Sequence, residues 1–312
     1  MSEEILRIEG TPLSVSTYSV ESKPTSMNAA GTLEIIFCLQ GSVRFSYAYE
    51  EFTLQPGEFV SVDKDAYYLY EGTPDNRCVS FFIDLSQYET RHPAIRSMLF
   101  ICEGTSDGTT NYPRTYYNAL KGLLISALKE ITGDCDPAVL RRITDQIVDL
   151  FANHFNIYFY HYGSQDIDPV TLQRLNEINR YLYEHISEKI MLAQVSRELD
   201  LSPGYVSELV RRYSIGFRKT LGYLRANASE KYLLETDLTI MEISERCGFS
   251  DPKYYYEAFR TWYLCTPKQF RQRYCRDMPR QIRFLPVGEI RDLLDDLLMA
   301  HYREIFLSGI VI

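Results

Sequence analysis

Long apolar runs, histidine and paired cysteines are all scarce in this sequence of 312 residues, and each scarcity excludes a class of protein. No apolar run approaches the roughly 18 residues that span a bilayer, and the N-terminus, MSEEILRIEG, is acidic where a secretory signal is basic. The seven cysteines are odd in number and show no C-x-x-C spacing, which argues against a disulfide framework or a zinc site. The sequence therefore predicts a cytoplasmic globular protein with reduced thiols and no membrane partner.

The few histidines also argue against catalysis. None of the five lies in the strands that the N-terminal third predicts, and no H-x-H pair with a glutamate is present to hold a metal. A catalytic His–carboxylate or Cys–His arrangement has no support, and there is no glycine-rich phosphate loop. We therefore predict no enzymatic activity, no metal and no other cofactor.

The net charge of −9 is unevenly distributed along the chain. Residues 1–170 contain 12 Lys+Arg against 23 Asp+Glu, whereas residues 171–276 contain 17 against 13. Such asymmetry between segments suggests that the later one faces a polyanion. A small positive balance identifies no partner by itself, so the motifs have to decide.

The N-terminal third has the pattern of short strands. Val43, Phe45 and Tyr47 alternate with polar or small residues, and Pro56-Gly57 marks a turn. Short strands at this spacing predict a sandwich or a barrel. From about Tyr116 the period becomes helical, with two apolar stripes that pack within the molecule, against a second subunit, or both.

An internal repeat occupies the C-terminal part of the chain. The stretch LAQVSRELDLSPGYVSELV at 192–210 resembles IMEISERCGFSDPKYYYEAF at 240–259. Each copy predicts a short helix, a tight turn at Asp200 or Gly248, and a second helix that begins at a proline. This is the helix-turn-helix pattern, in which the second helix lies in the major groove of DNA.

Each second helix has a polar face opposite an apolar one. The polar faces, at i, i+3 and i+4 spacings, are free to contact double-stranded DNA, although most charged helix faces are merely solvated. The predicted DNA-contacting residues are Tyr205, Ser207, Glu208, Arg211, Arg212, Lys253, Tyr254, Tyr256, Glu257 and Arg260. Two copies joined by a long helix over about 221–234 make the DNA-binding interpretation specific.

The run from 224 to 274 resembles the AraC/XylS family of bacterial transcription regulators. The similarity is carried by Leu233-Leu234, by Thr236-Asp237-Leu238-Thr239-Ile240, by Gly248-Phe249-Ser250-Asp251 and by Thr266-Pro267. It covers about a third of the chain, and the upstream half matches more loosely. The resemblance implies that the two recognition helices enter successive major grooves on one face of the DNA.

The N-terminal third is also similar to a part of that family. The stretch 33–70, with its Leu54-x-Pro56-Gly57-Glu58 turn, resembles the cupin-type sensor barrel of many members. The resemblance implies a small-molecule effector, often a sugar, and helices that form a homodimer. The resemblance also allows RNA polymerase as a further binding partner. The candidate effector-binding residues are Glu34, Arg44, Tyr47, Tyr67, Tyr68 and Tyr70.

Several features depart from the family pattern. Glu208 and Glu257 stand where relatives commonly have a basic or small residue, and each either accepts from cytosine N4 or pairs with an arginine on its own helix. Leu264 stands where a glycine is usual. Because the recognition helices then attract phosphate weakly, we expect phosphate contacts from surrounding cationic residues, namely Arg218, Lys219, Arg225, Lys268 and Arg271.

Together these patterns predict an α+β protein of two domains. A cupin-like β-barrel over 1–110 is followed by a helical dimerisation segment over 111–162 and a linker over 163–170. An all-α domain with two helix-turn-helix units follows over 171–276, and 277–312 forms a helical extension. The alternative to a metabolite sensor is a barrel that serves as a protein-interaction module, which a filled barrel core would favour.

Overall fold

A computed structural model describes residues 5–27, 31–47, 50–62, 67–93, 95–104, 114–156, 167–274 and 281–308. The strands are β1 (Leu6–Arg7), β2 (Leu13–Met27), β3 (Thr32–Gln40), β4 (Val43–Tyr47), β5 (Glu50–Leu54), β6 (Phe59–Val62), β7 (Tyr67–Gly72), β8 (Arg77–Asp84), β9 (Glu103–Gly104) and β10 (Gln281–Phe284). The helices are α1 (Arg114–Thr132), α2 (Pro137–His154), α3 (Pro169–Glu184), α4 (Leu192–Glu198), α5 (Pro203–Tyr213), α6 (Phe217–Glu235), α7 (Ile240–Arg246), α8 (Pro252–Tyr263), α9 (Pro267–Tyr274) and α10 (Arg291–Ser308).

The strands form one antiparallel sheet that rolls into a near-closed barrel. The strand order is β5-β4-β7-β2-β8-β3-β6-β9, and β1 and β10 also pair with β2. Strand β2 is 15 residues long, so its first half pairs with β8 and its second half with β7. Residues from both ends of the sheet meet in a shared interior, which confirms the predicted barrel.

The two faces of β3 bury different cores because side chains alternate along a strand. Leu33, Ile35 and Phe37 point toward α1 and α2 and join the larger core. Ile36 and Cys38 point into the barrel, where they pack with Phe45 and Tyr70. Strand β3 is therefore buried on both sides, as its near-continuous apolar sequence requires.

Helices α1 and α2 confirm the two predicted apolar stripes and cover the outside of the barrel. Asp136 caps α2 by accepting from the Ala138 N–H at 2.8 Å, and Pro137 follows at the first helical position. Leu124 and Phe151 are fully buried against the sheet. Most of the apolar area of both stripes is thus buried within the molecule, and a shallow groove remains between the helices on the outer side.

The segment after α9 differs from the predicted helical extension. Its first described element is a strand, β10, whose Ile282, Arg283 and Phe284 pair with Val20, Ser19 and Tyr18 of β2. The predicted stripe then forms α10, which runs antiparallel to α1, with Lys121 bonded to Glu304 and Lys129 to Asp295. The chain therefore returns to the N-terminal domain after the helical domain.

Candidate DNA-binding surface

The first helix-turn-helix unit consists of α4 and α5. Asp200 between them adopts φ +52°, a left-handed conformation that aspartate tolerates better than most residues. Ser202 caps α5 by accepting from the Tyr205 N–H at 3.2 Å, and Pro203 begins the helix. Val206, Leu209 and Val210 are buried. The turn and cap confirm the local structure that the sequence predicts.

The second unit consists of α7 and α8 and repeats this design. Thr239 and Glu242 form a capping box, with the Glu242 N–H donating to Thr239 Oγ1 at 3.2 Å and the Thr239 N–H to Glu242 Oε2 at 2.8 Å. Gly248 adopts φ +78° at the turn. Asp251 caps α8 by accepting from the Lys253 N–H at 2.7 Å. Both units therefore form as predicted.

A single continuous helix joins the units. Helix α6 contains 19 residues, more than the 221–234 that the sequence predicts, and is therefore about 28 Å long. This length approaches the roughly 34 Å between successive major grooves on one face of DNA. Gly216, at φ +89°, precedes the helix and turns the chain out of α5.

The relative orientation of the two units is fixed at a junction that sequence reasoning missed. Arg225 of α6 donates from Nε to the Ile186 carbonyl at 3.0 Å and from Nη2 to the Glu188 carbonyl at 2.6 Å. Its guanidinium also lies 5.8 Å from the ring centroid of Phe249. Gly248 approaches the same segment so closely that a Cβ there would lie 2.6 Å from the Ile186 oxygen. The loop between α3 and α4, which leads into the first unit, thus packs against the turn of the second.

The predicted recognition residues are nearly all exposed. Tyr256 is half-buried, and the other nine, from Tyr205 on α5 to Arg260 on α8, are exposed to solvent. Tyr254 is unusual among them because a large aromatic side chain remains 55% exposed. Tyr255 and Phe259 on the opposite face are fully buried. The two helices therefore present polar faces that no described element covers.

The two glutamates pair within their own helices. Arg211 donates to both Glu208 oxygens at 2.8 to 3.0 Å, one of the pairs that the sequence left open. Glu257 lies 4.0 Å from Lys253 rather than beside Arg260. These pairs are exposed and therefore weak, so they can rearrange on contact with a polyanion.

The predicted phosphate-contacting residues divide into two groups. Arg218, Lys219 and Lys268 are exposed. Arg225 and Arg271 have structural roles instead, because Arg271 donates from Nε to the Leu233 carbonyl at 2.8 Å and from Nη2 to the Leu238 carbonyl at 2.9 Å. This differs from the expectation that both contact phosphates. Burial lowers the pKa of the Arg225 guanidinium because it penalises the charged form.

The predicted effector residues are only partly brought together. Glu34 is buried in the barrel, where Tyr68 Oη donates to it at 2.9 Å and Ser80 Oγ at 2.8 Å. The Tyr68 and Tyr70 rings stack at 5.7 Å in the same interior. Tyr18 extends the network through a 3.0 Å hydrogen bond to Ser80. The interior around Glu34 is thus packed with aromatic rings and hydroxyl groups.

The other effector candidates lie elsewhere or are not described. Arg44 is exposed and pairs with Glu71 on the outer surface, which differs from the predicted pocket position. Tyr67 is buried where β7 meets the helical domain. The side chain of Tyr47 lies outside the described residues, as do residues 63–66 and the linker residues 163–166.

In the part of the chain that the structure describes, no group of three or more His, Cys, Asp or Glu side chains is arranged to hold a metal ion. The described helices include none that is both long and apolar enough to cross a membrane. The described cysteines are free thiols.

Two helix-turn-helix units on a shared connecting helix define the class: a protein with a bipartite DNA-binding domain. A family model described as a helix-turn-helix domain matches residues 195–273. The regulatory protein PocR of Salmonella typhimurium is 32% identical over 100 residues, which are 32% of this chain and 33% of PocR. Residues 195–273 therefore form an AraC-type helix-turn-helix domain.

Two further comparisons cover a similar share of the chain. The urease operon transcriptional activator of Escherichia coli is 28% identical over 114 residues, which cover 34% of this chain and 38% of the activator. A solved structure, the C-terminal domain of the response regulator yesN from Fusobacterium nucleatum, is 34% identical and covers 30% of this chain and 93% of that domain, with a TM-score of 0.28. The chain covers only 26% to 40% of the first four curated relatives.

Proposed function

We propose that this protein is a sequence-specific regulator of transcription that binds double-stranded DNA through α5 and α8. The observation that carries the proposal is the pair of exposed polar recognition faces, held apart by α6 and locked together by Arg225. Because the length of α6 approaches one helical turn of DNA, we expect both helices to enter successive major grooves. Arg211, Lys253 and Arg260 supply donors to base edges, and Arg218, Lys219 and Lys268 contact phosphates.

The test is selection of random double-stranded DNA by the full-length protein at a stated salt concentration. A motif of two short blocks about one helical turn apart is expected. Arg211→Glu and Arg260→Glu should each weaken binding to the selected site by about 1–3 kcal/mol. Arg303→Glu is a matched control, since Arg303 is an exposed arginine on α10. Unchanged affinity in both test variants would overturn the assignment of the recognition helices.

The N-terminal barrel controls DNA binding in this proposal, and a small-molecule effector, with a sugar as one candidate, acts at Glu34. The buried carboxylate and the hydroxyl groups of Ser80, Tyr18 and Tyr68 supply hydrogen-bonding groups for a hydroxylated ligand. The expected result is a rise in melting temperature with one member of a panel of monosaccharides, which Glu34→Gln abolishes. Glu71→Gln on the outer surface serves as the control.

A second candidate function for the barrel is binding to another protein rather than to a metabolite. The aromatic packing around Glu34 favours it, because Phe45 and Tyr70 are fully buried and stack in the interior. In that case no member of the panel shifts the melting temperature, and a variant of the outer surface rather than Glu34→Gln abolishes regulation. The two candidates therefore differ in whether any monosaccharide raises the melting temperature and in whether Glu34→Gln affects regulation.

Homodimerisation is proposed through the outer groove between α1 and α2. This groove has a volume of about 490 Å³ and is lined by Leu123, Leu150 and His154 among other residues. The check is the molar mass of the full-length protein in solution by light scattering, with Leu150→Asp expected to give the monomer. Activation of transcription, as the urease relative's name states for that protein, would add RNA polymerase as a partner.

A further inference from the structure

Glu230 of α6 is a buried carboxyl group at the boundary between the two domains. Its side chain is 1% exposed. Tyr263 Oη and Asn227 Nδ2 donate to Oε1, the latter at 3.3 Å, and both belong to the helical domain. The backbone N–H of Tyr67, at the start of barrel strand β7, donates to Oε2 at 3.4 Å. One carboxyl group therefore contacts both domains at once.

The surroundings of Glu230 form a continuous interdomain contact. Leu69 of β7 is buried in the hydrophobic core of the second helix-turn-helix unit, which includes Phe259 and Phe270. At the edge of the contact, Arg273 of α9 pairs with Glu51 of β5. The second unit thus rests on β5 and β7 through apolar, polar and ionic contacts.

The three donors to Glu230 in the described residues are all neutral. Burial without a cationic partner penalises the charged form and raises the pKa of Glu230 to about 7, although the donors oppose this change. Other titratable groups around it are Tyr263 of α8 and Tyr274 of α9, whose pKa values burial raises, and Tyr223 of α6. The pKa of Glu51 is lowered, chiefly by its hydrogen bond from Arg273.

We propose that Glu230 is a pH-responsive latch whose neutral carboxyl holds the second helix-turn-helix unit on the barrel and whose ionisation weakens that contact. The device is independent of whether α5 and α8 read DNA. Its sign follows from linkage: the pKa is higher in the docked state, so docking is favoured at low pH and loses this contribution as the pH rises through about 7. From an ordinary value of 4.5 when undocked, the docking constant falls about thirtyfold between roughly pH 5.5 and 8.5.

The test measures amide hydrogen exchange of the full-length protein across this pH range, corrected for the intrinsic pH dependence of exchange. Peptides from β7 report the contact directly, because the Tyr67 amide donates to Glu230. Protection in β7 and α8 is expected to fall as the pH rises from about 5.5 and to level off above about pH 7. Glu230→Gln, a neutral side chain of the same shape, should remain docked at every pH. Glu235→Gln on the same helix is the exposed control and should behave as the wild type.

A second variant keeps the test informative if Glu230→Gln fails to fold. Tyr263→Phe removes a donor that favours the ionised form, so the pH above which protection levels off should be higher than in the wild type. Protection that does not change with pH, a response that persists in Glu230→Gln, or a levelling-off pH that Tyr263→Phe leaves unchanged would each overturn the proposal.

Discussion

Replacing Gly248 by alanine tests whether the two helix-turn-helix units are locked together as the structure shows. The substitution introduces two penalties. A left-handed conformation costs an L-residue roughly 1–2 kcal/mol. The new Cβ would also lie 2.6 Å from the Ile186 oxygen and 2.9 Å from the Ser187 carbonyl carbon. Those backbone atoms cannot retreat cheaply because Arg225 holds the carbonyls on either side, and such overpacking typically costs about 1–3 kcal/mol.

The expected net destabilisation is about 2–4 kcal/mol. It is smaller than the sum of the two penalties because alanine restricts the unfolded chain, which stabilises the folded state by roughly 0.4–1 kcal/mol. Two other glycines separate the contributions. Gly216, at φ +89° and ψ 147°, lies in a region that is essentially restricted to glycine, but no atom lies within 4 Å of the position that a Cβ would take. Gly216→Ala therefore carries a conformational penalty alone, about 1–3 kcal/mol. Gly204 lies in helix α5 with open space around it, and Gly204→Ala should stabilise by roughly 0.5 kcal/mol.

Urea unfolding of the full-length protein, monitored by tryptophan emission, measures these differences. The single tryptophan, Trp262, lies on α8 with its ring 5.2 Å from that of Tyr223 on α6, so its emission reports the helical domain. If Gly248→Ala costs no more than the roughly 1–2 kcal/mol of its left-handed conformation, the close approach of the α3–α4 loop to the turn of the second unit is refuted.

Three further substitutions test particular contacts. Leu264→Gly should stabilise the helical domain by about 0.5–1 kcal/mol in the same urea assay, because Leu264 is 74% exposed and adopts φ +51° after α8. Tyr255→Phe should cost about 1 kcal/mol, since its buried hydroxyl donates to Ser229 Oγ at 2.9 Å; an unchanged midpoint would contradict this. Leu294→Ala removes buried side-chain volume and should cost about 2–5 kcal/mol. It should lower the melting temperature of the barrel domain in calorimetry and leave the unfolding transition monitored by tryptophan emission unchanged.

Local patterns predict the helix-turn-helix units well because their determinants lie close together in the chain. Ser202, Thr239 and Asp251 each cap a helix by accepting from an N–H two or three residues away. Asp200 and Gly248 adopt the left-handed conformation that the turn requires. A reader of the sequence needs no tertiary contact to place these elements.

The contacts that sequence reasoning missed join residues that are distant in the chain. Arg225 and Arg271 are of a residue type that commonly contacts phosphate, but in this structure they donate to backbone carbonyls 39 and 38 residues away. Glu230 is an ordinary helical glutamate in sequence, and its burial depends on Tyr67, 163 residues earlier. Charge and periodicity indicate which residues can bind a polyanion, but not which ones the fold uses for itself.

The return of the chain to the barrel changes how the two domains can influence each other. The helical domain is attached at α2 on one side and, six residues after α9, at β10 on the other. Strand β10 contacts the barrel interior directly, because Phe284 lies edge-on to Tyr18, whose hydroxyl is bonded to Ser80 beside Glu34. A rearrangement around Glu34 that moves Tyr18 therefore alters the packing of β10 as well. Because coupling free energies are reciprocal, any factor by which a ligand at Glu34 changes the affinity of the second helix-turn-helix unit for DNA is also the factor by which DNA changes the affinity of the barrel for that ligand.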